Sequence, residues 1–233
     1  MPGKTNFNGY PSETTQFFDD IKENNNKPWF LEHKNDYQTF VVEPTKAFIV
    51  TMGQRLETVA PAIQYDTRAN GSGSMMRIYR DVRFSKDKSP YKTWLGVIFW
   101  EGIGKKTEKP GFYFSLDAEG ARPHAGLYGF SKPFLAAYRE AVVDDKLGEE
   151  LVSILATMPS AYTINDPHYK RVPRGYDKEH PRANLLLHKG LGASGPRFSP
   201  DIVSSPDLLD VCFEHFRQMA PLQQWLVKVD QRI

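Results

Sequence analysis

The chain is poor in cysteine: among 233 residues only Cys212 carries a thiol. An intrachain disulfide framework and a cysteine-rich zinc site are therefore both excluded, and a reducing compartment, the cytoplasm, is the expected location. Long apolar runs are missing too. No uninterrupted hydrophobic stretch reaches the roughly 18 residues that crossing a bilayer requires. The opening MPGKTNFNGYPSETTQFF has no apolar segment behind a basic start. Neither secretion nor a membrane partner is expected. Net charge is nearly absent at +2, so no global field draws the molecule towards nucleic acid or anionic lipid, and any electrostatic function has to be local. Catalytic signatures are equally scarce: there is no H-E-x-x-H and no G-x-S-x-G. In GIGKKT, Phe99 stands where the first glycine of a phosphate-binding loop belongs. The six histidines fall at no metal-binding spacing, His180 and His188 being separated by Pro181 and further residues, so no metal site is expected and no cofactor is indicated.

What is present suits one folded unit. Hydrophobic residues make up 40% and charged residues 25%, enough apolar material for a sizeable core, and a single domain over residues 1–233 is expected without a linker or repeat. Residues 12–61 carry helical periodicity. Phe17, Phe18 and Ile21 form one stripe behind Ser12 as a candidate N-cap; Phe30, Tyr37, Phe40 and Val41 form a second; Phe48, Ile49, Met52, Leu56 and Val59 follow Pro44, which should break or kink the helix. From about residue 63 to 129 the period changes to two. MMRIYRDV, WLGVIFWE, GFYFSLD and ARPHAGLYG read as strands, with DAEGA as a hairpin turn. Helices resume at Ser131, and two more are expected from about Asp207 and Leu222. The fold class is thus α+β: an antiparallel or mixed central sheet, about residues 63–129, flanked by N-terminal and C-terminal helices. Cys212, beside Phe213 and Phe216, reads as core.

One segment differs from the rest. RIYRDVRFSKDKSPYK, Arg77 to Lys92, sets six cations (Arg77, Arg80, Arg83, Lys86, Lys88, Lys92) against Asp81 and Asp87, a local +4, while the remainder of the chain carries −2. Read as a strand, it puts Arg77, Tyr79, Asp81 and Arg83 on one face and Ile78, Arg80, Val82 and Phe84 on the other. Arg80 among apolar neighbours then needs a carboxylate or a bound anion. Two arrangements fit: an anion pocket with Arg77, Arg80, Arg83, Lys88 and Tyr91 as ligands, or a salt-bridge network closed by Asp81 and Asp87. Asp81 and Asp87 are candidate general bases or metal ligands, and His124, on a sheet strand, is a further acid–base candidate. A second basic stretch, Lys170 to Lys189, could supply an opposite wall, and NGSGS ahead of the motif could cradle an anion.

The string Arg77-x-x-Arg80-Asp81-x-Arg83-Phe84-x-x-Asp87-Lys88-x-x-Tyr91, together with FFDDIKENNNKPWF and YKRVPRGYDKEHP, resembles the signature of a conserved family known as a domain of unknown function, family 2461. The resemblance covers nearly the whole chain, every motif position is matched, and it implies no particular activity, substrate or cofactor. The residues themselves favour binding of a phosphorylated or otherwise anionic small molecule in a basic cleft, with catalysis a further option. Nucleic-acid binding through the two basic stretches, with Tyr79, Tyr91 or Trp94 stacking on bases, is the alternative; a purely structural salt-bridge network in an interaction domain is the third reading.

Overall fold

A computed structural model of the chain describes residues 7–233. Residues 1–6 of the expected single domain and of its opening segment lie outside the described residues.

The apolar stripe Phe17, Phe18, Ile21 is buried on one face of α1, Ser12–Glu23, with Glu13 in the first turn where the helix dipole favours it. Ser12 does not cap this helix. Pro11 occupies the N-cap, and the Ser12 hydroxyl donates to Glu13 at 3.1 Å. After a three-asparagine turn, Asn26 caps α2, Lys27–Glu32, its side-chain oxygen accepting from the Trp29 N–H at 3.1 Å. A short α3, Lys34–Asp36, then runs without interruption through a π-helical turn, Tyr37–Val42, into α4, Glu43–Leu56. The expected break at Pro44 is absent. Proline has no N–H to offer the Phe40 carbonyl one turn back. The Thr14 hydroxyl of α1 takes its place, donating to Phe40 O at 2.5 Å, so the irregularity falls in the preceding π turn instead.

The six strands are β1 (Ile63–Gln64), β2 (Trp94–Glu101), β3 (Gly111–Asp117), β4 (Gly120–Leu127), β5 (Thr163–Ile164) and β6 (Leu191–Ser194). Their order is β1-β2-β3-β4-β6-β5 with every pair antiparallel, which makes the fold α+β. The sheet reaches beyond residue 129, because β6 adds to β4 and β5 to β6. Registers Phe99↔Phe112, Val97↔Phe114 and Leu95↔Leu116 put one alternating set of each strand side by side. Phe48 of α4 meets Phe114 at 4.6 Å on this face, and Phe216 meets Phe112 at 5.2 Å. Phe216 belongs to α8, Leu208–Asp230.

Helices from the two ends of the chain thus flank the sheet in sequence but meet on the same face in space. The opposite set, including Trp94, Ile98, Trp100, Tyr113 and His124, stays half-buried, so β2 is not covered equally on both sides. Outside α8 pack α5, Lys132–Val143, and α6, Asp145–Thr157; Ser131 and Asp144 cap them. Tyr138 of α5 meets Trp225 of α8 edge-on at 5.9 Å. A short α7, Pro200–Val203, precedes α8. Where two terminal helices were expected, α8 continues through Pro221: this residue faces solvent, and the buried set Leu222, Trp225, Leu226 carries on the apolar stripe of Cys212 and Phe216. Among the described residues no helix is long and apolar enough to cross a membrane.

Phe114 is fully buried between Phe48 and Tyr10. Phe114→Ala should destabilise the protein by about 3–5 kcal/mol in urea unfolding. Tyr128→Ala, at an exposed ring, should stay within about 0.5 kcal/mol of wild type.

Candidate functional site

The basic motif lies in the connection from β1 to β2, residues 65–93, and is not a ladder strand. Its first part, 66–74, is a closed loop: Ser74 N–H donates to Asp66 O at 2.7 Å and Asp66 N–H to Ser74 Oγ at 3.0 Å. The carbonyls of Gly71 and Gly73 both accept from the Lys106 ammonium, so the NGSGS loop turns acceptors towards a cation rather than amides towards an anion. Met75 then bridges to Val97 at the edge of β2, with Met76 N–H on Gly96 O at 2.8 Å.

Beyond Met76 the chain leaves β2 and pairs with itself. Arg80 N–H donates to Pro90 O at 2.9 Å and Lys92 N–H to Ile78 O at 2.8 Å, with Tyr79 opposite Tyr91. This corrects the strand expected over 75–84: after residue 76 its backbone groups bond residues 90–92. The alternation holds near the hairpin base, where Ile78 is buried and Arg77 and Tyr79 are exposed. It fails at the tip, where Phe84 is 96% exposed.

A residue of α1's C-terminal turn region anchors the hairpin. Asn25 Nδ2 donates to Tyr91 O at 3.0 Å, and its Oδ1 accepts from Tyr91 N–H at 3.0 Å, so the side-chain amide stands where a neighbouring strand's peptide would. The buried Tyr91 ring stacks on Phe30 of α2 at 4.2 Å, which places it as a packing residue. Asn25 carried no mark in the sequence beyond a helix-breaking NNNKP run.

The motif's two carboxylates each hold an arginine. Asp81 pairs with Arg83 through Nε and Nη2 at 2.9 and 2.7 Å, and Asp87 pairs with Arg80. Asp87 Oδ1 also accepts from the Ser89 N–H at 2.9 Å and the Ser89 hydroxyl at 2.6 Å. The Arg83 hydrogen bonds lower the Asp81 pKa to about 2; the Ser89 hydroxyl and N–H, then Arg80, hold Asp87 well below the usual carboxylate range. Both stay ionised near neutral pH, where so weak a base is poorly matched to abstracting a proton. Lys88 donates to Val82 O at 2.9 Å. Arg77 and Lys86 have no carboxylate partner among the described residues.

Against the hairpin lies an open cavity of about 520 Å³. Of the expected site residues, Arg80, Asp81, Asp87 and Tyr91 line it, and Arg77, Arg83 and Lys88 do not. Lys22 of α1, Lys92 and Trp94 complete its charged and aromatic walls. A second cavity of about 340 Å³ adjoins it, sharing Lys22 and Thr93. The stretch from Lys170 to Lys189 forms no opposite wall: it links β5 to β6, at the other edge of the sheet from the motif. There Arg182 donates to the α5 end through Nε on Val142 O at 2.7 Å, and Tyr176 donates to Glu140 at 2.7 Å.

His124 sits in mid-β4, outside both cavities, with Nδ1 2.8 Å from Ser194 Oγ and Nε2 3.2 Å from Ser115 Oγ. Burial foremost, then Arg122 and Arg197, lower its pKa to about 4. The ring is neutral at pH 7 and held by two hydroxyls.

The family described as "Conserved hypothetical protein (DUF2461)" matches residues 13–225, from the first turn of α1 to the last turns of α8. The chain belongs to this family. The DUF2461 match takes in both halves of the site: the α1–α2 turn that carries Asn25 and the hairpin it holds. No curated protein matches the chain.

Two outcomes test this geometry. Asn25→Ala strips both hydrogen bonds from Tyr91 and should cost about 1–3 kcal/mol, read as a lower thermal midpoint. For His124, the unfolded chain binds a proton below about pH 6.5 that the fold refuses until about pH 4. Stability should therefore fall as pH drops from 6.5 towards 4, by up to ~3 kcal/mol. His124→Asn should flatten that part of the thermal profile.

Proposed function

We propose that this protein binds a phosphorylated or otherwise anionic small molecule in the cavity beside the basic hairpin. The observation that carries the reading is the cation surplus at the cavity wall. Lys22, Arg80 and Lys92 line it against Asp81 and Asp87, a surplus of one positive charge, and of the three cations only Arg80 is paired to a carboxylate. Ser89 and Thr93 add hydroxyls at the same wall. An anion of phosphate or carboxylate type would take up hydrogen bonds from Lys22 and Arg80 that water otherwise fills. Asp81 and Asp87, ionised and tied to arginines, fit the role of setting guanidinium orientation better than that of a base. The buried Cys212 supports a reducing, cytoplasmic setting. Nucleic-acid binding through both basic stretches is less well supported, because they attach at opposite edges of the sheet.

The experiment is a thermal-shift series with phosphate, sulfate and sugar phosphates on wild type, Lys22→Ala and Arg80→Ala. Saturating ligand at about 100 times its Kd should raise the wild-type midpoint by roughly 5–10 °C. Lys22 is exposed, so Lys22→Ala should melt like wild type in buffer alone and lose most of the ligand shift. No shift with any anion, together with a much lower midpoint for Arg80→Ala, would make the motif a structural network.

A further inference from the structure

Most lysines that make side-chain contacts in this fold meet a carboxylate: Lys46 meets Glu43, Lys105 meets Glu108, Lys109 meets Asp230 and Lys228 meets Glu150. Lys92 does not. Its Nζ donates to the Arg77 carbonyl at 2.8 Å, stands 4.9 Å from the centroid of the Trp94 ring, and lines the cavity. Its side chain is half-buried, two residues ahead of β2, where the hairpin's return segment leads into the sheet. We propose that Lys92 is a nucleophilic amine that forms an imine with a small oxo acid, an aldehyde or ketone bearing a carboxylate or phosphate, bound in this cavity.

The surroundings make the free amine easier to form than at an ordinary exposed lysine. Burial first, then the charges of Arg77 and Lys106, lower the Lys92 pKa from that of an ordinary lysine. The Trp94 ring acts in the opposite sense, since its face attracts the ammonium. A neutral amine still donates one hydrogen to the Arg77 carbonyl and keeps its lone pair for a carbonyl carbon. Lys22 and Arg80, on the walls of the same cavity, supply charges that would hold the acid group while the carbonyl meets Nζ. The nitrogen lone pair forms a C–N bond as the C=O π pair moves to oxygen, and one proton passes from nitrogen to that oxygen to give a carbinolamine. A proton from solvent converts that hydroxyl to water, which leaves as the nitrogen lone pair closes C=N, so that amine, carbonyl compound and one proton become a protonated imine and water. The positive imine then withdraws electrons from the neighbouring carbon, which is the use other lysine-imine chemistry makes of it.

The choice of an oxo acid rests on the anion-binding reading above; the reactivity of Lys92 does not. The test incubates the full-length protein at pH 7 with glyoxylate or, separately, neutral acetaldehyde, each with cyanoborohydride, and maps modified lysines by peptide mass spectrometry. Glyoxylate should mark Lys92 at least tenfold faster than the exposed Lys27 and Lys86, and acetaldehyde should mark it faster by a smaller margin. Lys92→Arg should remove that adduct alone. In Arg80→Ala, or in Lys22→Ala should the former fail to fold, the extra preference for glyoxylate should vanish while acetaldehyde still marks Lys92. Modification of Lys92 no faster than of Lys27 and Lys86 with both aldehydes would overturn the proposal. Fast marking of Lys92 by both aldehydes alike, in wild type and variants, would leave the reactive amine standing and remove the anion site.

Discussion

The contact on which the site depends is the double hydrogen bond between the Asn25 side chain and the backbone of Tyr91. A long connection without regular structure has to place every buried peptide group somewhere, and at Tyr91 neither the hairpin partner nor β2 is available for the outward-facing pair. A primary amide is the one neutral side chain that offers a donor and an acceptor in nearly the spacing of a peptide. With Phe30 stacked on the Tyr91 ring, the α1–α2 corner closes the cavity on one side and the hairpin closes it on the other. Polar register and apolar contact act on the same residue, so neither helix corner nor hairpin can shift without the other.

Charge in the motif is divided by function. Arg83 and Arg80 are each neutralised by a carboxylate at short sequence distance, which stiffens the tip without involving the rest of the fold. Exposed pairs of this kind contribute little to stability, and their value lies in holding guanidinium planes in one orientation. Of the cations without carboxylates, Lys86 and Lys88 stay exposed at the tip, Lys92 and Arg77 approach each other at the base, and Lys22 of α1 faces the cavity. A segment that reads as uniformly basic in sequence thus sends only some of its cations to the cavity.

Periodic segments were legible and irregular ones were not, for physical reasons. The stripe Phe17, Phe18, Ile21 and the alternation Phe112, Phe114, Leu116 each report one buried face, and both elements stand where their pattern placed them. Strands of two and four residues, β5 and β6, are too short to show any period, and they lie in a stretch rich in proline and glycine. The separate helix expected from about Leu222 does not exist: Pro221, just before it, faces solvent, where water can serve the carbonyl its ring leaves free. In the motif, composition marked the cavity's Arg80, Asp81, Asp87 and Tyr91, but the choice between ladder strand and self-paired hairpin depends on Asn25, distant in sequence. Lys22 was invisible for the same reason: on α1 it is one more solvent-facing lysine until the fold brings the hairpin beside it.

The π turn between α3 and α4 has a consequence for how this chain tolerates change in length. A π turn holds one residue more than the α-helical turn it replaces. Deleting a single residue from Tyr37–Val42 would let the backbone settle into ordinary α geometry, with no loop to rebuild. Because the π turn takes up its extra residue within one turn, the segments on either side would keep nearly their present phase. Tyr37 would stay against Phe17 and Phe30, and the Phe30 platform under Tyr91 would hold. A second deletion would find no extra residue to absorb it and would rotate everything before it by about 100° relative to α4, carrying the Phe30 platform away from the cavity. The turn is thus one residue of slack, and lengths between residues 37 and 42 should differ among relatives by one residue and not by two.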